Sequence, residues 1–136
     1  MITMSNIEVA KRYVGLVANP ASTFEEIRGL MHDDLVWREM PNRFAPDGRS
    51  NSLAGVADAW RRGREMVIDQ VYEIRSAIGD GDTVVLELSW RGTMARDLGP
   101  FKAGTRLGAE LATIMRFSQG KIISQTDYPC YHPIAS

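Results

Sequence analysis

One cysteine, Cys130, is all this sequence contains. It cannot close an internal disulfide, and a reducing cytoplasm is the expected setting. Long apolar runs are missing as well. No stretch approaches the roughly 20 residues of a membrane helix, and the N-terminal residues lack the basic-then-apolar order of a secretion signal. An excess of charge is also absent, because Lys+Arg 16 against Asp+Glu 17 leaves a net −1. That balance excludes a whole-chain electrostatic drive toward nucleic acid or an anionic membrane, so neither is expected as a partner. A G-x-x-x-x-G-K-[ST] loop, a G-x-G-x-x-G turn, a G-x-S-x-G elbow and Cys–His pairs at zinc spacing are not found. No cofactor and no metal are expected.

What is present suits a globular domain. At 136 residues, 44% hydrophobic and 24% charged, the chain fits one domain over residues 1–136 and buries roughly two-thirds of its unfolded surface. Ser5-Asn6-Ile7-Glu8 reads as a capping box, and Ile7, Ala10, Val14 and Val17 recur at helical spacing behind it. A helix to about Ala18 follows, stopped by Asn19-Pro20. Ser22 and Thr23 start a second helix, expected to end near His32-Asp33, where a protonated histidine suits the dipole. Leu35–Glu39 is a short β-like run, halted by Pro41. Residues 42–52 read as a long loop of turn formers, of the kind that forms lids or binding loops. A third helix is expected from Leu53 to Met66, with Val56 and Trp60 on its inner side.

From Gln70 the period changes to two. Val71–Ile78 and Thr83–Met94 form a hairpin through Gly79-Asp80-Gly81-Asp82. Leu98–Gly104 is irregular. Thr105–Ser118 and Lys121–Tyr128 form another hairpin through Gln119-Gly120. Helices segregated before antiparallel strands mean an α+β fold.

Alternation puts Val84, Leu86, Leu88, Trp90 and Met94 on a face toward the helices, with Val85, Glu87, Ser89, Arg91 and Thr93 opposite. On the last strand Ile123, Gln125 and Asp127 share a face. If Ile123 points inward, Asp127 is a carboxylate aimed into apolar surroundings. Desolvation would raise its pKa and fit it for acid–base work. The plainer reading is a strand-end aspartate bonded to backbone or an arginine.

The order of Trp37-Arg38-Glu39-Met40-Pro41, the Gly-Asp hairpin, and Arg116-Phe117 with Gly120-Lys121-Ile122 running into Asp127-Tyr128 resembles the SnoaL-like branch of the nuclear-transport-factor-2-like superfamily. The likeness runs from about Ile7 to Tyr128. It implies a cystatin-like, cone-shaped α+β barrel with a deep apolar pocket, and a homodimer. The epoxide hydrolases of this superfamily use an Asp-Arg-Asp set with a tyrosine and an asparagine. Here Asp127 matches the final-strand aspartate. Trp37 and Glu39 replace the tyrosine and asparagine, and Leu88-Ser89-Trp90 replaces the Arg-x-Asp. The ketosteroid isomerases use a helix-one tyrosine, matched by Tyr13. Their base falls on Met40 and their oxyanion aspartic acid on about Thr113. The polyketide cyclases ask for a shaped pocket and a late-strand carboxylate, which Asp127 matches in kind.

The resemblance therefore implies a cofactor-free enzyme acting on a small apolar carbonyl or polyketide-like molecule. Asp127 would be the acid–base group, assisted by Tyr13 or Glu39. Trp37, Trp60, Leu88, Trp90, Thr113, Met115 and Gln125 would line the pocket. The alternative is a non-catalytic protein that binds a small hydrophobic molecule. A third reading is a domain that chiefly dimerises through the face of Val85 and Ser89. Glu39 has a structural alternative in pairing with Arg38, Arg43 or Arg49. Arg61, Arg62 and Arg64 read as a solvated helix face, and Cys130 and His132 as tail contacts.

Overall fold

The computed structural model describes residues 4–134; residues 1–3 and 135–136, the ends of the expected domain, lie outside them. Helix α1 spans Asn6–Ala18, and Ser5 Oγ accepts the Glu8 N–H at 3.2 Å. Glu8 returns its carboxylate to the Ser5 hydroxyl at 3.1 Å. Val9, Ala10 and Val14 are its buried stripe. Pro20 cannot continue the helix. Thr23 and Glu26 then form a reciprocal capping box for α2, Phe24–Arg28.

The second helix does not reach His32-Asp33 as expected. It stops at Gly29, and strand β1 runs over Met31–Glu39, four residues earlier than the β-like run at Leu35 suggested. A long-range pairing decides this. Leu30 O accepts the Ile122 N–H at 2.9 Å, and Met31 lies in register with Ile122. His32 consequently sits on a strand, where its Nδ1 accepts the Asp34 N–H at 3.0 Å.

The loop expected over residues 42–52 is shorter too. Its last four residues form β2, Arg49–Ser52, antiparallel to β1. Gly48 makes the preceding turn at φ 72°; a Cβ there would lie 2.7 Å from Glu39 O. Helix α3, Leu53–Met66, follows directly, and β3 leaves it at once over Val67–Asp80 rather than from Val71. Asp69 at φ 54° and a register shift between Ile68 and Val71 take up the change of direction. The remaining strands are β4 Thr83–Met94, β5 Arg106–Ser118 and β6 Lys121–Tyr131, the last extending past the expected Tyr128.

The six strands lie in the order β2-β1-β6-β5-β4-β3. All neighbours are antiparallel except β1 and β6, which run parallel. The sheet is curved but not closed into the expected barrel, since no pairing joins β2 to β3 among the described residues. Helix α3 spans that opening, packed on β1, β2 and β3. Helix α1 covers the other end, with Ile7 against Gly79 at the β3–β4 turn. Beneath it Val84, Leu86, Leu88, Met115, Phe117 and Ile122 join Val9, Ala10 and Val14 in the main core. A second cluster gathers Trp90, Met94, Leu107 and Ala109 around Phe44, Phe101 and Tyr131. Between the two clusters the concave face of the sheet is not filled. No helix of the described residues is long and apolar enough to cross a membrane.

Candidate active site

A cavity of about 550 Å³ lies under α3 on the concave face. Its walls are aromatic: Trp37 from β1, Tyr72 from β3, Trp90 from β4 and Tyr131 from β6. Alternation alone brings these rings to one side, and Gly92 makes the room. A Cβ at Gly92 would stand 2.8 Å from the Trp90 ring. Trp90 Nε1 donates to Gln70 Oε1 at 2.9 Å, which fixes the ring plane. Across the cavity Trp60 packs at 5.7 Å from Phe24. The Arg64 guanidinium lies 4.2 Å above the Trp60 ring and donates to Pro20 O and Asn19 O at 2.6 and 2.8 Å. It is therefore a clamp between α3 and the end of α1, rather than part of a solvated face. Arg61 pairs outward with Asp58. Arg62, exposed, marks the opening.

Asp127 is the acidic group of the floor. Three side chains donate to it: Thr113 Oγ1 and Gln125 Nε2 reach Oδ1 at 2.9 and 3.1 Å, and Trp37 Nε1 reaches Oδ2 at 3.0 Å. None of the donors is charged. Burial therefore dominates and raises its pKa from the ordinary 3.8 to about 6, against the lowering effect of the three bonds. Glu39 raises it further, since Glu39 and Asp127 lie in register on neighbouring strands. A carboxylate offers about four lone-pair sites, two on each oxygen. With two donors on Oδ1 and one on Oδ2, Oδ2 keeps a lone pair for a proton.

Glu39 stands beside Asp127 on the neighbouring strand. Its Oε2 lies 3.4 Å from Arg49 Nε, so its charge is already paired. Tyr13 lines the cavity, and its hydroxyl is pushed above the usual tyrosine range by burial and by the Asp127 charge. Tyr72 is raised by burial and by the neighbouring Tyr13. Tyr131 is raised to about 12 by burial and by Glu39. These phenols stay neutral in the physiological range and can only act as hydrogen-bond partners.

Of the residues expected at the site, Tyr13, Trp37, Glu39, Trp60, Trp90 and Asp127 line the cavity. Leu88 and Met115 do not. They face inward, but α1 lies over them, and Met115 is wholly buried. Thr113 and Gln125 do not line it either; both are 2% exposed and sit behind Asp127 as its donors. Asp127 also reaches the cavity by a different path from the one expected. Ile122 is the buried residue, and the register shifts by one between Ile122 and Ser124, leaving Ile123 half-buried. Gln125 and Asp127 face inward beyond that irregularity. Arg49 is the partner the sequence offered Glu39 as a structural alternative; Gln70, Tyr72 and Tyr131 were not among the residues expected at the site. Tyr72 was legible from its alternation with Ile74; Tyr131 was not, because Pro129 masks the strand's continuation.

Cys130 is exposed on the far side of β6. His132 leans on Glu110, with Nε2 3.6 Å from Oε1.

The sequence model for the SnoaL-like domain matches residues 10–125. No curated protein matches the sequence. Solved structures do match. IdmH, a candidate polyketide cyclase of Streptomyces antibioticus, superposes with a TM-score of 0.77 at 16% identity, over 93% of this chain and 92% of its own. An NTF2-like protein of Burkholderia thailandensis gives 0.74 at 18% identity, over 96% and 92%. An LEH-like epoxide hydrolase of M. tuberculosis gives 0.71 at 17% identity, over 92% and 82%. At these identities the likeness is one of fold.

Proposed function

The chain belongs to the SnoaL-like family and has the NTF2-like fold, and from that premise we propose that it is a small-molecule enzyme performing acid–base chemistry on an apolar carbonyl compound of polyketide type. The observation that carries the reading is Asp127: a half-buried carboxylate, held by three neutral donors, at the floor of an aromatic cavity. With a pKa near 6 it is ionised at neutral pH yet still able to hold a proton, which is the range a general acid–base group needs. Oδ2 would accept a proton from a carbon next to the substrate carbonyl, leaving an enolate. The same oxygen would return that proton once the new bond or isomer has formed. The aromatic walls would hold a flexible substrate folded and keep water from the enolate. The hydrolase reading gains no support, because no arginine among the described residues donates to Asp127. The likeness to a candidate polyketide cyclase supports the substrate class.

One observation favours a binding protein instead: Asp127 already has three donors, as a structural carboxylate would. The test is incubation of wild type and Asp127→Asn with a panel of hydrophobic ketones, polyketides and epoxides, following both the thermal midpoint and the fate of the compound. Turnover by wild type that falls by about 10²–10⁴ in the variant supports the enzyme. Equal stabilisation of both proteins, with the compound recovered unchanged, establishes the binder.

A further inference from the structure

Among the described residues, Gln125 is the one side chain that bonds to both Asp127 and Tyr13. Its Nε2 donates to Asp127 Oδ1 at 3.1 Å and meets the Tyr13 hydroxyl oxygen at a longer 3.4 Å. The amide is buried, and its Oε1 has no donor among the described residues. The orientation follows from chemistry: an ionised carboxylate only accepts, so turning Oε1 toward it would set acceptor against acceptor. An amide nitrogen, in turn, donates and does not accept. Tyr13 can therefore only receive a hydrogen from Gln125, and its own hydroxyl hydrogen is left to point elsewhere. That hydroxyl has no other partner among the described residues, and Tyr13 lines the cavity.

We propose that Gln125 is a positioning residue: one buried amide holds Asp127 and turns the Tyr13 hydrogen into the cavity, so that the site selects a ligand with an acceptor oxygen of carbonyl type. The ligand half of this rests on the small-molecule reading above; the effect on Asp127 does not. The groups facing Asp127 are Trp37 and Glu39 from β1, Thr113 from β5, Tyr13 from α1 and Tyr72 from β3, with Tyr131 further along its own strand and Arg49 of β2 held by Glu39. All remain when the amide is removed, so what changes is one donor to the charged carboxylate.

The first measurement is the titration of the Asp127 carboxyl carbon by NMR in ligand-free wild type and Gln125→Leu. The expected result is a midpoint raised by about one pH unit in the variant. A role in packing alone would lower the unfolding temperature and leave that midpoint where it was, which would overturn the proposal. Should Gln125→Leu fail to fold, the wild-type protein still decides. Its Gln125 side-chain amide signals should titrate with the same midpoint as Asp127, and independent midpoints would sink the coupling. The second measurement compares binding of acetylnaphthalene with its isopropenyl isostere, which has the same shape without the acceptor. Wild type should prefer the ketone roughly tenfold, and Tyr13→Phe and Gln125→Leu should each erase the preference. Equal affinities, or binding of neither probe, overturn the selectivity. Loss of turnover in the earlier assay would touch neither result, because both are read without chemistry.

Discussion

Asp127 and Glu110 are carboxylates on adjacent strands of one sheet, the first on the concave face and the second on the convex face. Both accept hydrogen bonds from side chains, yet their acidities move in opposite directions. Asp127 has three neutral donors and is half-buried among apolar walls, and desolvation raises its pKa to about 6. Glu110 is exposed, accepts from Ser89 Oγ at 2.6 Å, and has Arg75 and His132 beside it. Its pKa is lowered, first by the Ser89 bond and then by the neighbouring Arg75 and His132 side chains. The hydrogen bonds lower both groups; desolvation outweighs them at Asp127, while at Glu110, open to water, the Ser89 bond prevails. The concave face thus carries an unneutralised charge, which is what chemistry can use, while the convex face neutralises its own.

The contrast has a consequence for stability, and the largest effect tests it most directly. A folded-state pKa raised above the ordinary value means that the folded form holds the proton longer. Asp127 then makes stability fall as pH rises from about 3.8 to about 6. Over those limits the loss is roughly 2–3 kcal/mol. Asp127→Asn should remove this slope and leave the protein more stable than wild type at pH 8, with little gain at pH 4. Urea unfolding across that range measures it, and a variant less stable at pH 8 would contradict the account. Glu110 has the opposite sign: its contribution is present above the ordinary glutamate range and is lost as pH falls.

A smaller effect is expected from Thr113→Val, which removes one neutral donor and keeps the shape. Asp127 should then titrate about one unit higher, and stability should drop more at pH 8 than at pH 4, by roughly 1 kcal/mol. A drop equal at both pH values would mean that Thr113 acts by packing alone. The smallest effect belongs to the convex face. Glu110→Gln should leave the thermal midpoint and any turnover where they were, because its bonds are open to water and screened by salt. A clear loss of stability would mean that this face is covered by something in solution.

Elements whose pattern is local were legible in the sequence. Helix α3 and strand β4 begin and end where the pattern places them, at Leu53–Met66 and Thr83–Met94. Elements decided by distant partners were not. Met31 to Asp34 continue a helical-looking segment, but β6 claims them as strand. Arg49–Ser52 has the composition of a loop and becomes a strand only because β1 lies alongside. The site divides in the same way. Alternation told which side of the sheet Leu88 and Trp90 face, while Thr113 and Met115 were expected at the pocket from the family resemblance. It could not tell that α1 covers Leu88 and Met115 while Trp90 meets open space, since that depends on where a helix is laid across the strands.

The parallel pairing of β1 with β6 also sets when the site comes into being. Trp37 and Asp127 are 90 residues apart in sequence, and their bond at 3.0 Å joins the first long strand to the last. Closing so long a loop carries a large entropic penalty before any contact rewards it. The hairpins of β3 with β4 and β5 with β6 are local and can assemble first. A chain emerging from the ribosome holds Trp37, Tyr72 and Trp90 while Asp127 is still being made. Pulse-labelled hydrogen exchange should therefore find the Trp37 indole N–H protected in the last folding phase, after the β4 amides; protection of both together would refute this order. Until β1 joins β6, Asp127 lacks the Trp37 donor and half of its enclosure, and the property that makes it useful is acquired in the last step of folding.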